Sequence, residues 1–137
     1  MPHDSALVAE TRDWLAKANE DLEVAQRLLT GRTAWPSSAA FHAQQAAEKA
    51  EKAFLTWHRK RFSKTHDLDV LGGKCAAIDP ALEAVCKAVN PISVFAVGLR
   101  YPNLLPRLTT AKAREALELA RAMYDAVLER LPKAVKP

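Results

Sequence analysis

Apolar positions fall at helical spacing in three long stretches of the chain. The densest runs from Phe41 to Trp57, where Ala40, Ala43, Ala47, Ala50, Phe54 and Trp57 recur along one side and neither Gly nor Pro interrupts. Alanine is the cheapest residue to place in a helix and the smallest that still covers backbone, so an alanine seam lets a neighbour approach closely. This predicts a long helix at the centre of a bundle. Its other face carries His42, Gln45, Lys49 and Lys52, with Glu48 four residues before Lys52 as a modest helix-supporting pair. That face is expected to be wet or to meet a partner.

From Ser5 to Leu29 a second stripe, Leu7, Trp14, Ala18, Leu22, Ala25 and Leu29, predicts a helix stopped by Gly31 and packed antiparallel to the central one. Pro36 followed by two serines marks where the central helix starts. The third stripe, Ala113, Ala116, Leu117, Ala120, Tyr124, Val127 and Leu131, follows a cap at Thr109 or Thr110. Between them the signals are short. Thr65 can cap a segment through Asp67, Leu68 and Leu71 that Gly72-Gly73 should weaken or end, and Asp79-Pro80 opens another with Leu82, Val85, Cys86 and Val89 on its apolar face up to Asn90-Pro91. The run from Ile92 to Leu99 has strand-like composition, but no second strand exists for it to pair with, so it is expected to lie over the bundle as a short helix or irregular segment. The sum is an all-α, antiparallel up-and-down four-helix-type bundle with one or two additional short helices. It is expected to form one domain over residues 1–137, with 1–6 and 132–137 frayed.

Composition narrows the class. At 137 residues, 49% hydrophobic and 26% charged, the chain is ordinary for a globular domain and carries no apolar run long enough to cross a bilayer. The opening Met1-Pro2-His3-Asp4-Ser5 lacks the layout of a secretory signal, so the protein is expected in the cytoplasm and away from membranes. Cys75 and Cys86 form no Cys-x-x-Cys pair and are expected to be reduced, structural and inert. The net charge of +4 admits a polyanionic partner without requiring one. Basic side chains gather in His58-Arg59-Lys60-Arg61-Phe62-Ser63-Lys64-Thr65-His66. The helix macrodipole favours such a cluster at the carboxyl end of the central helix, so it needs no nucleic acid to explain it.

Candidate chemistry is sparse. His3, His42, His58 and His66 include no pair at metal-ligand spacing on one helix face, Gly72-Gly73 follows no strand, and no serine or cysteine has a base nominated by spacing, so neither metal nor cofactor is expected. What survives is Arg59, Arg61 and His66 near the end of the central helix, and Arg100-Tyr101 ahead of the last one. An imidazole can move protons at a ribose 2′-hydroxyl while a guanidinium steadies charge on the phosphate, so Arg61 and His66 are the candidate catalytic pair of a metal-independent ribonuclease. The competing reading is a solvated helix end followed by a histidine in the next turn.

Four segments together resemble one family. They are Trp14-Leu15-x-x-Ala18-x-x-Asp21-Leu22-x-x-Ala25-x-x-Leu28-Leu29, then Phe41-His42-Ala43-Gln44-Gln45-Ala46-Ala47-Glu48-Lys49-Ala50, then Thr65-His66-Asp67-Leu68, then Arg100-Tyr101-Pro102. They resemble the HEPN domain family over nearly the whole chain. The resemblance implies an antiparallel bundle, commonly a homodimer, often encoded beside a minimal nucleotidyltransferase as a toxin and antitoxin pair. Some members resemble metal-independent ribonucleases, with an arginine and a histidine separated by four to six residues near the start of a late helix. Here the late arginine, Arg100, is followed by Tyr101 and Pro102, and Leu105, Pro106 and Arg107 stand where that histidine would fall. The expectation is therefore a non-catalytic dimer binding a nucleotide or a nucleotidyltransferase through Arg59, Arg61, His66, Arg100 and Tyr101. The alternative is a ribonuclease toxin that cleaves RNA with Arg61 and His66.

Overall fold

A computed structural model describes residues 4–98, 101, 102, 105 and 107–137. The order is α1 (Ser5–Thr30), α2 (Pro36–Trp57), α3 (Leu68–Ile78), α4 (Glu83–Val89) and α5 (Thr110–Glu129), with 3-10 turns at Pro80–Leu82, Asn90–Ala96 and Lys133–Val135. Among the described residues there is no strand, and the all-α class read from the sequence holds. The Asn90–Ala96 turn is the strand-like run. Ile92 and Ala96 face inward from it, so its apolar character comes from burial and not from sheet pairing.

Helix ends follow local chemistry. The Asp4 carboxylate accepts from Ala6 N and Leu7 N to start α1, and Thr109 accepts from Lys112 N to start α5. At the foot of α1, Gly31 is extended and not left-handed, and Trp35 N donates to the Leu28 carbonyl at 2.8 Å, closing the link to α2. Cross-contacts fix the direction of α2 against α1. Trp14 lies under Lys52, Asp21 meets His42 and Lys49, and Leu28 meets Trp35, so the two run antiparallel.

Helix α2 is the axis of the molecule. Its alanines Ala39, Ala40, Ala43, Ala46, Ala47, Ala50 and Ala53 are all fully buried, with Phe54 and Leu55 below them. The face expected to be wet or to meet a partner is only partly open. Glu48, Glu51 and Lys52 are buried as well, because Trp14 of α1, the segment 58–67 and α3 close over that side. His42, Gln45 and Lys49 are half-buried at its edge.

Three further expectations are corrected. Asp67, not Thr65, caps α3 by accepting from Asp69 N, and Gly72-Gly73 lies inside that helix instead of ending it. The reason is close approach. A methyl on Gly72 would sit 2.7 Å from Glu51 Oε2 and 3.1 Å from Cys86 Cβ, so the bare Cα is what lets α3 lie against α2 and α4. The tail expected to fray from Pro132 instead turns through Lys133–Val135. Val135 is fully buried, and an Arg12 guanidinium nitrogen donates to the Ala134 carbonyl. Cys75 and Cys86 are free and buried, and burial pushes the Cys75 thiol well up and the Cys86 thiol up to about 12.

The two adjacent glycines give a paired prediction. Gly72→Ala forces the carboxyl of Glu51 or the α3 backbone to shift and should cost about 1–3 kcal/mol in urea unfolding. Nothing lies within 4 Å of a methyl placed on Gly73, so Gly73→Ala should instead stabilise by about 0.5–1 kcal/mol through helix propensity. Equal effects of the two substitutions would contradict the close packing at Gly72.

Candidate functional site

The site is built where the chain turns back after α2. His58 packs its ring on Phe54 at 4.5 Å, and burial holds its pKa below the usual imidazole value, with Asp79 opposing that shift. Arg59 then takes φ 55, a left-handed conformation that costs a non-glycine residue about 1 kcal/mol. The strain is offset by closing hydrogen bonds, Arg59 N to the Thr56 carbonyl and Lys60 N to the Leu55 carbonyl. The reversed chain runs back along α2. It lays Phe62 edge-on to Trp14 at 6.3 Å, and the two rings flank the Lys52 ammonium at 5.8 and 5.5 Å.

This return delivers His66 to the buried carboxylate of Glu48. His66 Nδ1 lies 2.8 Å from Glu48 Oε1, and Lys52 Nζ donates to Glu48 Oε2 at 3.0 Å. Gln44 Nε2 donates to Glu48 Oε1 at 3.2 Å and to the His66 carbonyl at 3.1 Å, and Gln45 Nε2 donates to Gln44 Oε1 at 2.6 Å. Ser93 adds a brace from the 3-10 turn, accepting from Leu68 N at 2.7 Å and donating to the His66 carbonyl at 3.3 Å. The side chain of Glu48 is 4% exposed and that of His66 is 56% exposed. One ring nitrogen is therefore anchored in the core and the opposite edge is offered to solvent.

The arrangement defines what His66 can do. With its Nδ1 proton given to Glu48, neutral His66 presents an Nε2 lone pair outward, and protonated His66 presents a cationic N–H donor there. A second imidazole is held the same way nearby. His42 Nδ1 lies 2.8 Å from Asp21 Oδ1, whose other oxygen takes Lys49 Nζ at 2.5 Å.

The residues singled out in the sequence are only partly brought together. Arg61 lies exposed on the same return segment as His66 and forms no hydrogen bond or ion pair among the described residues. Arg59 meets Asp4 at 3.7 Å, an exposed pair of the kind that contributes little. Tyr101 is 59% exposed, and no hydrogen bond or ring contact among the described residues joins it to His66. Arg100 lies outside the described residues. Sequence reading missed Glu48, Gln44, Trp14 and Ser93 as parts of this site. The Glu48–Lys52 spacing was a real signal, but it read as a surface pair because nothing local shows that the chain folds over it. Among the described residues no three His, Cys, Asp or Glu side chains converge to hold a metal, and no helix is long and apolar enough to cross a membrane.

Removing the carboxylate leaves Lys52 buried without its ionic partner. Glu48→Ala should therefore cost about 3–5 kcal/mol in urea unfolding, whereas His66→Ala should cost about 1 kcal/mol or less because its ring is half in water. A loss below about 1 kcal/mol for Glu48→Ala would show that water reaches Lys52 and that the pair is not a buried one.

The HEPN domain model matches residues 11–131. Among solved structures the chain is similar to ST0689, an archaeal HEPN homologue, at 24% identity and a TM-score of 0.69, over 88% of this chain and 96% of that one. It is also similar to TT1696 from Thermus thermophilus, at 31% identity and a TM-score of 0.67, over 88% of this chain and 98% of that one. Among curated proteins none matches. With the family pattern running from the first turns of α1 past the end of α5, the chain belongs to the HEPN domain family.

Proposed function

We propose that this HEPN domain is a non-catalytic binding module that acts as a homodimer and takes a nucleotide, or a nucleotidyltransferase partner, on the face around His66. The observation that carries this reading is the exposed imidazole anchored on the buried Glu48 carboxylate. A side chain held by its Nδ1, with its backbone carbonyl pinned by Gln44 and Ser93, loses little entropy on meeting a ligand. Arg61 on the same segment adds a guanidinium suited to phosphate, and Arg59 joins it by giving up only a weak exposed pair with Asp4. Arg100 and Tyr101 belong to the proposed surface as a second phosphate contact and a ring for a base to stack on. Val94 and Val97, each about half exposed, supply apolar surface for a second copy to cover.

One observation favours a second reading. A carboxylate holding an imidazole by Nδ1 is the orientation a general base uses, so the Glu48–His66 pair also suits a ribonuclease with Arg61 steadying the phosphate. Glu48 then acts as a positioning residue for His66.

A single preparation tests both. Light scattering should give twice the chain mass, and titration with nucleoside phosphates and a short RNA should show saturable binding that Arg61→Glu weakens by about tenfold, or about 1.4 kcal/mol. RNA incubated in EDTA should stay intact. Cleavage that His66→Ala abolishes would replace the binding module with the ribonuclease, and a monomer with flat titrations would overturn both.

A further inference from the structure

One turn along α2 from Glu48 lies a second buried carboxyl with no part in the His66 cluster. Glu51 is fully buried, and neither of its oxygens meets a donor in good hydrogen-bond geometry among the described residues, although the weakly donating Cys86 thiol lies beside it. The charged groups that bear on it are acidic: Glu48 from its own helix and Asp67 from the cap of α3. The thiols of Cys75 on α3 and Cys86 on α4 complete its titratable surroundings. From α5, Arg130 acts on Cys86 but is held by Asp79 at 2.8 Å. Oε2 points at the place where any side chain on Gly72 would have to go, so the carboxyl is pressed directly against the α3 backbone.

We propose that Glu51 is a proton-operated latch for α3 and α4: while it keeps its proton the two helices lie closed on α2, and loss of the proton drives them off while α1, α2 and α5 stay packed. An ionised carboxylate with no partner is among the least tolerable groups in an apolar interior, and the chain must either protonate it or bring water to it. Water has one short route, because α3 and α4 are 11 and 7 residues long and lie over Glu51, whereas α1 and α5 are 26 and 20 residues long. Short elements with small buried faces open locally at a fraction of the global unfolding cost.

The direction of the pH dependence follows. Burial, with Glu48 and Asp67 adding to it, raises the pKa of Glu51 well above the ordinary carboxylate value, and only the neighbouring Cys86 thiol works the other way. The closed state thus binds a proton that the open state releases. Closure is complete below the ordinary carboxylate range and weakens as pH rises through the raised value. Since His66 directly precedes α3 and its carbonyl and ring are tied to Gln44 and Glu48, opening also unseats the imidazole. The latch stands whether or not the His66 face takes a phosphate.

Cys75 and Cys86 report on it, since both are sealed in the same layer. The full chain and Glu51→Gln, whose amide stays neutral, are labelled with 4,4′-dithiodipyridine at intervals from roughly pH 6 to 9, each rate divided by that of a free small thiol. The wild-type ratio should climb by about tenfold or more across this range while Glu51→Gln stays flat and helical ellipticity is unchanged in both. A flat wild-type ratio overturns the latch, as does an equal rise in Glu51→Gln or a rise that accompanies loss of ellipticity. Should Glu51→Gln fail to fold, Glu51→Met serves in its place with the same expected flat profile.

Discussion

A helix covered over most of its circumference has little back face on which to leave its charges. Helix α2 meets that constraint with two surfaces: a smooth alanine seam, and a sector of Gln44, Glu48, Glu51 and Lys52 that Trp14, the return segment and α3 close over. Glu48 and Lys52 take partners delivered from elsewhere in the chain, whereas Glu51 stays unpaired. Lys52 receives the rings of Trp14 and Phe62, Glu48 receives His66, and at the half-buried edge Lys49 and His42 receive Asp21 from α1. Much of the remaining architecture serves these deliveries, including the left-handed Arg59 that turns the chain back along α2.

Such a network gives little net stability for the charges it buries. Taking an ion pair out of water costs several kcal/mol, and the attraction regained offsets that only with good geometry. Its contribution is better seen as register. Alanine faces are nearly featureless, and two of them can slide by a helical turn with little change in packing. With Asp21 held between His42 and Lys49, and Lys52 under Trp14, such a slip of α1 on α2 would strand two charges at once.

How much of this the sequence made legible depends on range. The three long helices, the caps Thr109 of α5 and Asp79 of the Pro80–Leu82 turn, and the stripe Ala113 to Leu131 were readable because helical periodicity and capping are local. Gly72-Gly73 misled because the same residue type that ends helices also permits close approach, and only the positions of Glu51 and Cys86 distinguish the two uses. At the site, His66 and Arg61 stood out by type, but Glu48 did not, since its spacing to Lys52 is that of any solvated pair and its bond to His66 spans 18 positions. The frayed tail was misjudged for the same reason, because Val135 looks expendable until Arg12 reaches the carbonyl beside it.

The antiparallel pairing of α1 and α2 bears on the order in which the molecule assembles. The two helices are joined by a short link closed by the Leu28–Trp35 bond, so their contacts require little loop closure and can form early. The Arg12–Ala134 contact joins positions 122 residues apart and must wait for almost the whole chain. On a ribosome, the first hairpin would thus emerge with one flank of α2 uncovered, its acids until the return segment and α3 follow and the rest until α5 arrives. During that interval Gln44, Glu48 and Glu51 are an advantage, because a nascent helix carrying them is far less prone to self-association than one apolar all round.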